Sequence, residues 1–237
     1  MKGEHRMTEP MNMFTSREPI KQFWRVRLER VRKALEKNNF ETFLVDSALD
    51  AKRLVMEEIL PKVGAENISW GGSMTMEEIG LGEALRQQED ITLLDPIKEG
   101  ISLGDLRKGM LLSLSADVFF SGTNAVTEAG QLVNLDMYGN RVAAITFGPK
   151  HVVILAGRNK IVHDLEAATD RIRNYVAPAH VRRMNALGMG YNNPCMESSV
   201  CQNCKSPTRL CNAWGIIEKS YPQGRIKVVL INEDIGL

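Results

Sequence analysis

Cysteine is scarce in this sequence of 237 residues, which contains only four. All four lie between residues 195 and 211, so the rest of the chain offers no thiol for a disulfide framework. Apolar runs of the ~20 residues that a membrane-spanning helix needs are missing, and the first residues lack the apolar core of a secretory signal. We therefore expect a cytoplasmic protein, in which clustered thiols more often indicate metal or redox chemistry than disulfides.

An excess of charge of either sign is also absent. The 30 Lys and Arg residues nearly balance the 29 Asp and Glu residues, which gives a formal net charge of +1. A strongly basic surface, the usual electrostatic footprint of a nucleic-acid-binding protein, is therefore not expected. Hydrophobic residues make up 43% of the chain, and its length is sufficient to bury a full core.

Short apolar runs alternate along the chain with segments of helical periodicity. In the first predicted helix, for example, Trp24, Leu28, Val31 and Leu35 recur at helical spacing. The predicted order is helix 17–37, strand 40–45, helix 49–60, strand 67–70, helix 76–87, strand 91–94, helix 103–114, strand 117–120, strand 151–156, helix 163–176 and strand 225–231. This alternation is typical of an α/β fold with a mostly parallel sheet flanked by helices.

The domain organisation follows from what interrupts this pattern. No internal repeat or low-complexity linker divides the chain, so residues 16–237 are predicted to form a single domain. Residues 1–15 are polar and rich in Met, and they are predicted to be a disordered lead-in. Residues 178–213 are predicted to be a long irregular loop that contains the thiols, and loops of this length are usually functional or disordered.

The first candidate site is the stretch WGGSMTMEEIGL at 70–81. Gly71 and Gly72 would let the backbone approach a ligand closely, and Ser73 follows them directly. Thr75 and Glu78 are predicted to form a capping box for the next helix, whose N-terminal N–H groups favour an anion or phosphate. The same residues also suit a tight strand-to-helix turn, and both interpretations stay open.

The second candidate site, SGTNAVTEAGQLVNLDMYGNRVA at 121–143, directly follows a predicted buried strand. Ligands of α/β proteins bind at the carboxyl ends of parallel strands, and Arg141 has the shape to hold a carboxylate or phosphate. Glu128 is a candidate base or nucleophile if burial raises its pKa. The candidate ligand-binding residues are Asn124, Thr127, Asn140 and Arg141, although Asn, Asp and Gly are also common turn formers.

The third candidate site is the GRNK turn after strand 151–156. Arg158, Asn159 and Lys160 stand between a strand end and a helix start, where two cations can hold an anion. A solvated basic turn would have the same sequence, so this alternative also stays open.

The fourth candidate site is the cysteine segment, with the spacing C-x5-C-x2-C-x6-C. Thiolates bind zinc, copper(I) and iron–sulfur clusters, and four of them match a tetrahedral zinc site or a cubane cluster in number. Cys195, Cys201, Cys204 and Cys211 are therefore predicted to bind an iron–sulfur cluster or zinc. A dithiol redox switch and inert thiols are the alternatives, because the spacing matches neither a zinc ribbon nor a common ferredoxin.

Taken together, these stretches and the closing RIKVVLINEDIGL resemble the LUD-domain family, the lactate utilization proteins, over roughly residues 40–237. The cysteine segment resembles the version found in one branch of that family. The resemblance implies the fold shared by ribose-5-phosphate isomerase, glucosamine-6-phosphate deaminase and the CoA transferases. It also implies a component of lactate oxidation and electron transfer that binds a small carboxylate or phosphate beside iron–sulfur partner subunits.

The resemblance also keeps two other functions open. Glu128-Ala129-Gly130 is similar to the glutamate–glycine pattern around the CoA-transferase nucleophile, which implies a non-redox acyl-CoA or phosphosugar enzyme with a structural zinc. A regulatory protein that senses a metabolite is the other alternative. Self-association into a homo-oligomer is compatible with each of these functions.

Overall fold

The computed structural model describes residues 17–95 and 102–237 of the chain. The predicted disordered lead-in at 1–15 lies outside the described residues. The helices are α1 Glu18–Lys37, α2 Ala48–Leu54, α3 Leu60–Val63, α4 Met74–Glu78, α5 Leu81–Arg86, α6 Leu103–Leu112, α7 Asn140–Thr146, α8 Leu165–Arg171, α9 Ala177–Ala186 and α10 Pro194–Ser198. The strands are β1 Glu41–Val45, β2 Asn67–Trp70, β3 Thr92–Leu94, β4 Val118–Gly122, β5 Ala125–Thr127, β6 Leu132–Asp136, β7 His151–Gly157, β8 Ile161–Val162, β9 Ala213–Ile217 and β10 Ile226–Ile231.

A six-stranded sheet in the order β1-β10-β7-β4-β2-β3 forms the centre of the fold, and all its pairings are parallel. Side chains alternate across each strand, so Phe119 and Phe120 enter the cores on opposite faces. One face packs against α2, α3, α4 and α5, and the other against α1 and α7. The predicted α/β fold with a parallel sheet flanked by helices is therefore confirmed.

A second sheet has the order β8-β5-β6-β9 and contains both parallel and antiparallel pairings. Two of its four strands, β5 and β6, come from the stretch 121–143, for which the sequence predicts a candidate site and no strand. That prediction was wrong because β5 is only three residues long and β6 carries Asn134 and Asp136 among its apolar residues. Both strands are nevertheless fully buried.

The predicted helix 76–87 is in fact two short helices that meet at Gly80. Gly80 adopts φ 66°, a left-handed conformation that glycine tolerates and that ends a regular helix. The predicted capping box was wrong as well. Ser73 is the N-cap of α4, because its hydroxyl accepts a hydrogen bond from Met76 N at 3.3 Å. The Glu78 carboxylate instead accepts a hydrogen bond from Gly236 N at 2.8 Å.

The cysteine-containing segment has more regular structure than predicted. A π-helical stretch, Ile172–Val176, connects α8 to α9, and α9 continues to Ala186. Pro178 lies in the first turn of α9, where a proline is tolerated. Cys195 lies in α10, and only Cys201, Cys204 and Cys211 occupy irregular backbone, so the irregular part is shorter than the predicted 178–213. Within the described residues, no helix is both long and apolar enough to cross a membrane.

Candidate functional site

The parallel sheet brings several predicted site residues to one edge. The carboxyl ends of β2, β4, β7 and β10 lie at this edge because the four strands run in the same direction. Gly71 follows β2 and Gly122 ends β4, while the 3-10 turn Arg158–Lys160 follows β7. The first and third candidate stretches are therefore neighbours, as expected for a ligand site at the strand ends.

Lys160 is the most unusual residue at this edge. Its side chain is buried, with only 4% of the residue exposed, and its Nζ donates a hydrogen bond to Thr75 Oγ1 at 2.6 Å. Across residues 17–95 and 102–237, no carboxylate lies within ion-pair distance of this amine. Burial lowers the pKa of Lys160 to about 7, the positive charges of Arg171 and Arg141 act in the same direction, and Glu78 opposes them.

Two glycines pack closely around the Lys160 amine and its neighbours Ser73 and Thr75. A Cβ atom added at Gly122 would lie 2.7 Å from Ser73 Oγ and 3.6 Å from Lys160 Nζ. One added at Gly236 would collide with Thr75 and lie 3.2 Å from Lys160 Nζ. Close packing around Ser73, Thr75 and Lys160 therefore requires glycine at both positions, and a side chain at either would press on this group of residues.

The two residues before Lys160 have structural partners. Asn159 Nδ2 donates to Gly236 O at 2.9 Å, and Asn159 Oδ1 accepts from Ile235 N at 3.2 Å. Arg158 forms a bidentate ion pair with Asp234, in which Nε donates to Oδ1 at 3.1 Å and Nη2 donates to Oδ2 at 3.0 Å. Both side chains hold the segment after β10 over the strand ends. Among the residues that the structure describes, Lys160 is therefore the cation of the GRNK turn without a carboxylate partner.

Arg141 is also engaged within the protein. Its guanidinium donates to Asp136 Oδ1 at 2.6 and 2.9 Å and to Asn124 Oδ1 at 3.1 Å. Its aliphatic part covers Gly71, where an added Cβ would stand 2.5 Å from Arg141 Cγ. Asp136 accepts a further hydrogen bond from Val142 N at 2.9 Å. This network connects the end of β6 to α7 and places a positive charge near Lys160.

The remaining predicted ligand-binding residues are distributed around the second sheet. Thr127 Oγ1 accepts from Gln131 N at 3.1 Å and closes the β5–β6 turn. Asn140 is the first residue of α7, after Gly139. Gly72 lies between Gly71 and the N-cap Ser73. The structure thus places Ser73 and Thr75 of the first stretch and Gly122 of the second beside Lys160 of the third. The predicted ligand-binding residues of the second stretch form a supporting layer around them.

Glu128 lies in a different environment. Its carboxylate accepts a hydrogen bond from Arg27 Nε at 2.6 Å and lies 3.4 Å from His163 Nδ1. Burial acts to raise the pKa of Glu128, but the hydrogen bonds from Arg27 and His163 outweigh it, so the pKa is lowered. The raised pKa on which a role as general base depended is therefore not found. Glu128 borders an open groove of about 620 Å³ along α1, lined also by Phe23 and Val26.

The four thiols are close together in space. Cys195, Cys201, Cys204 and Cys211 all line one small cavity of about 20 Å³, along with Ala177 and Val181 of α9 and other side chains. All four cysteines are free and partly exposed. Burial raises the pKa of the Cys195 thiol, and the neighbouring Cys204, Cys211 and Cys201 thiols raise it further. The sequence prediction that these side chains converge is consistent with this cavity.

The arrangement of the thiols is not that of a preformed metal site. Within the part of the chain that the structure describes, no group of three or more His, Cys, Asp or Glu side chains is placed so that it could hold a metal ion. The donor set itself fits zinc or an iron–sulfur cluster, because four thiols surround one cavity. Arg209 donates to Cys204 O at 2.6 Å and lies 3.2 Å from Cys211 Sγ, so a positive charge is already present to balance thiolates.

Sequence reasoning missed two features of this region. Arg171 lies on α8 beside the GRNK turn and donates to Asn159 O at 3.2 Å, although its spacing resembles that of a solvated helix face. His180 of α9 is partly buried, and burial followed by the charges of Arg141 and Arg183 lowers its pKa to about 4, with Asp136 opposing. No local sequence signal identifies either residue, because their environment depends on how the helices pack.

Comparison with known proteins identifies the family. The model of the LUD domain matches residues 28–231, so the chain belongs to the LUD-domain family. The fold is similar to that of a DUF162 family protein from Deinococcus radiodurans, with a TM-score of 0.50, 11% sequence identity and coverage of 88% of this chain and 98% of that chain. DUF162 is another designation of the LUD domain.

A second structural likeness is to ribose 5 phosphate isomerase A from Neisseria gonorrhoeae. It covers 81% of this chain and 92% of that chain at 16% identity, and its TM-score of 0.38 is too low to carry a conclusion. A search of curated proteins found no significant match.

Proposed function

We propose that the protein is a lactate-utilization-type component of organic-acid oxidation, which binds a small anion at the strand ends around Lys160. Such a role is consistent with membership of the LUD-domain family. The observation that carries the proposal is the buried Lys160 amine, which has no carboxylate partner among the described residues. The proposed setting is the cytoplasm, with iron–sulfur subunits as partners. The proposed ligand is a carboxylate such as lactate or its oxidation product.

The physical argument rests on the cost of burying a charge. An ammonium group that loses its water and gains no counter-ion is strongly destabilised, and it either loses its proton or acquires an anion. The positive charges of Arg171 and Arg141 add to the positive potential at Lys160. The charge of Arg141 is already balanced by its ion pair with Asp136. A bound carboxylate would supply the missing charge, and Ser73 and Thr75 offer hydroxyl groups beside the amine.

The anion-binding part is tested by thermal unfolding and calorimetric titration with L-lactate, pyruvate and inorganic phosphate. A ligand at 100 times its Kd stabilises the folded state by about 2.7 kcal/mol, which is a measurable rise in Tm. We expect this rise in the wild type and its loss in Lys160→Met. Lys33→Met, which removes an exposed lysine of α1, is the matched control. The proposal fails if none of these anions binds, or if Lys160→Met binds them as the wild type does.

The proposal includes a metal centre at the thiol cavity. Cys195, Cys201, Cys204 and Cys211 would hold an iron–sulfur cluster or zinc, and a cluster would supply one-electron transfer to partner subunits. Support comes from the four thiols around one cavity and from Arg209 beside two of them. Side-chain rotation would be needed to direct the sulfur atoms at a common centre, because no such arrangement exists in the described residues.

Metal analysis after anaerobic purification tests this second part separately. An iron–sulfur cluster predicts brown protein with stoichiometric iron and acid-labile sulfide, and both should fall when Cys204 is replaced by Ser. Ser199→Ala, an exposed substitution in the same segment, should retain the metal. Colourless protein with stoichiometric zinc would refute the electron-transfer role and leave the anion site intact. Metal-free protein that does not take up iron or zinc would refute the metal centre.

A further inference from the structure

Arg171 carries an unpaired hydrogen-bond donor close to Lys160 in the fold. Arg171 Nε donates to Asn159 O at 3.2 Å, next to Lys160 in the chain, and the Arg171 charge is the strongest electrostatic influence on the lysine. Arg171 Nη1 is buried and has no hydrogen-bond partner among the residues that the structure describes. The guanidinium also lies 5.3 Å from the ring centroid of Tyr175. One N–H group of a positioned arginine therefore remains available beside a buried primary amine.

The two groups favour a particular kind of ligand. An unpaired guanidinium N–H is suited to a carboxylate oxygen, and its lack of a partner costs free energy that a bound carboxylate would recover. A buried primary amine that Thr75 holds in place, and that has no carboxylate partner among the described residues, is suited to attack the carbonyl carbon of a small molecule. A compound with a carbonyl next to its carboxylate satisfies both groups, whereas a 2-hydroxy acid has no carbonyl for the amine.

We propose that Lys160 forms an imine with a 2-oxo acid whose carboxylate is held by Arg171. This inference deepens the proposed function, on which it rests, by naming the substrate class as the oxidation product of a 2-hydroxy acid. The neutral Lys160 nitrogen attacks the carbonyl carbon and forms a C–N bond. The two hydrogens of the amine are transferred to the carbonyl oxygen, which leaves as water when the C–O bond breaks, and this gives the C=N bond without any oxidant or reductant.

The charges around Lys160 support this chemistry. Attack requires the unprotonated amine, and a lysine with a pKa of about 7 is half unprotonated at neutral pH. Burial, Arg171 and Arg141 all lower this pKa, whereas Glu78 raises it. The Thr75 hydroxyl lies 2.6 Å from Nζ and holds the amine in place beside Gly122 and Gly236. An ordinary surface lysine would be protonated almost completely at the same pH.

Reductive trapping tests the proposal directly. The wild-type protein is incubated with pyruvate and sodium cyanoborohydride at neutral pH, and the modified peptides are identified by mass spectrometry. We expect one reduced pyruvate adduct, located on Lys160, and no adduct with L-lactate. Lys160→Arg should keep the positive charge and lose the adduct, while Lys33→Met should react like the wild type. Arg171→Met should reduce trapping of pyruvate at least tenfold and have a smaller effect on acetaldehyde, which lacks a carboxylate.

The outcomes separate this inference from the proposed function. If pyruvate raises the Tm of the wild type and no adduct forms at Lys160, the imine is refuted and the anion site stands. Adducts spread over exposed lysines such as Lys62 and Lys150, with Lys160 unmodified, would refute the imine as well. If pyruvate and lactate both fail to bind or react, the proposed function and the inference fail together.

Discussion

The clearest physical consequence of the buried Lys160 amine concerns stability and its dependence on pH. Lys160→Met replaces the amine by an apolar side chain of similar length. The pKa of Lys160 is about 7 in the folded protein, compared with 10.5 for an ordinary lysine. Between these two values the unfolded chain binds more protons than the folded protein, so the free energy of unfolding of the wild type should rise with pH.

The size of this effect follows from the pKa shift. Each pKa unit corresponds to about 1.4 kcal/mol, so lowering the pKa from 10.5 to about 7 corresponds to about 5 kcal/mol in total. The penalty for the buried charge is fully present below pH 7 and is relieved as the pH rises towards 10.5. Between pH 6 and pH 9 the free energy of unfolding should gain about 2 to 3 kcal/mol from the relief of this penalty.

Urea unfolding at a series of pH values measures this contribution of Lys160 to the free energy of unfolding. The difference in unfolding free energy between the wild type and Lys160→Met should change by about 2 to 3 kcal/mol from pH 6 to pH 9, and the variant should be the more stable protein at pH 6. Lys33→Met controls for the loss of an exposed lysine. If the wild-type and Lys160→Met curves run parallel, Lys160 is not a buried, destabilised cation and the argument for an anion site loses its basis.

Three further predictions concern the surroundings of the site. Gly122→Ala, whose Cβ would lie 2.7 Å from Ser73 Oγ, should abolish the Tm rise caused by the anion and destabilise the fold by about 1–3 kcal/mol in urea unfolding. Glu128→Gln should leave the calorimetric Kd for the anion unchanged, because Glu128 borders the separate groove along α1. Arg141→Met should destabilise the protein by about 3–5 kcal/mol in urea, since the buried Asp136 carboxylate would lose its ion pair.

A control variant or a contrary result checks each of these predictions. Gly104→Ala on the exposed side of α6 tests whether any added methyl group lowers stability, and it should instead be neutral or stabilising. Loss of anion binding in Glu128→Gln would mean that the groove and the strand ends form one site. A change below about 1 kcal/mol in Arg141→Met would show that the ion pair with Asp136 is not structural, and an Arg141→Met/Asp136→Asn double variant should recover part of the loss.

Much of the fold was predictable because its patterns are local. Helix 17–37 has a regular apolar stripe, and strands 67–70 and 225–231 are short apolar runs, so periodicity identified them. The second sheet was not predictable in the same way, since the three residues of β5 are too few to show a period. The polar residues of β6 are buried through tertiary contacts, as the pairing of Asp136 with Arg141 shows.

The sequence predicted where the candidate site lies in the fold, but not which of its side chains are paired with one another. Glycines and cations that follow parallel strands indicated Gly71–Thr75 and the GRNK turn, and the sheet brings these stretches together. The sequence does not reveal which cation remains without a carboxylate, because Arg158 pairs with Asp234 about one-third of the chain away. Gly122 and Gly236 also became meaningful only when the fold placed them on two sides of Lys160.

A crystal structure of the protein with L-lactate, which has no carbonyl for the Lys160 amine to attack, would test the central claim most directly. The account predicts ligand density at the carboxyl ends of β2, β4 and β7, with a ligand atom within hydrogen-bond distance of Lys160 Nζ and the carboxylate on Arg171 Nη1. Ligand density confined to the groove along α1, or an empty strand-end region at a ligand concentration that saturates binding in solution, would contradict it.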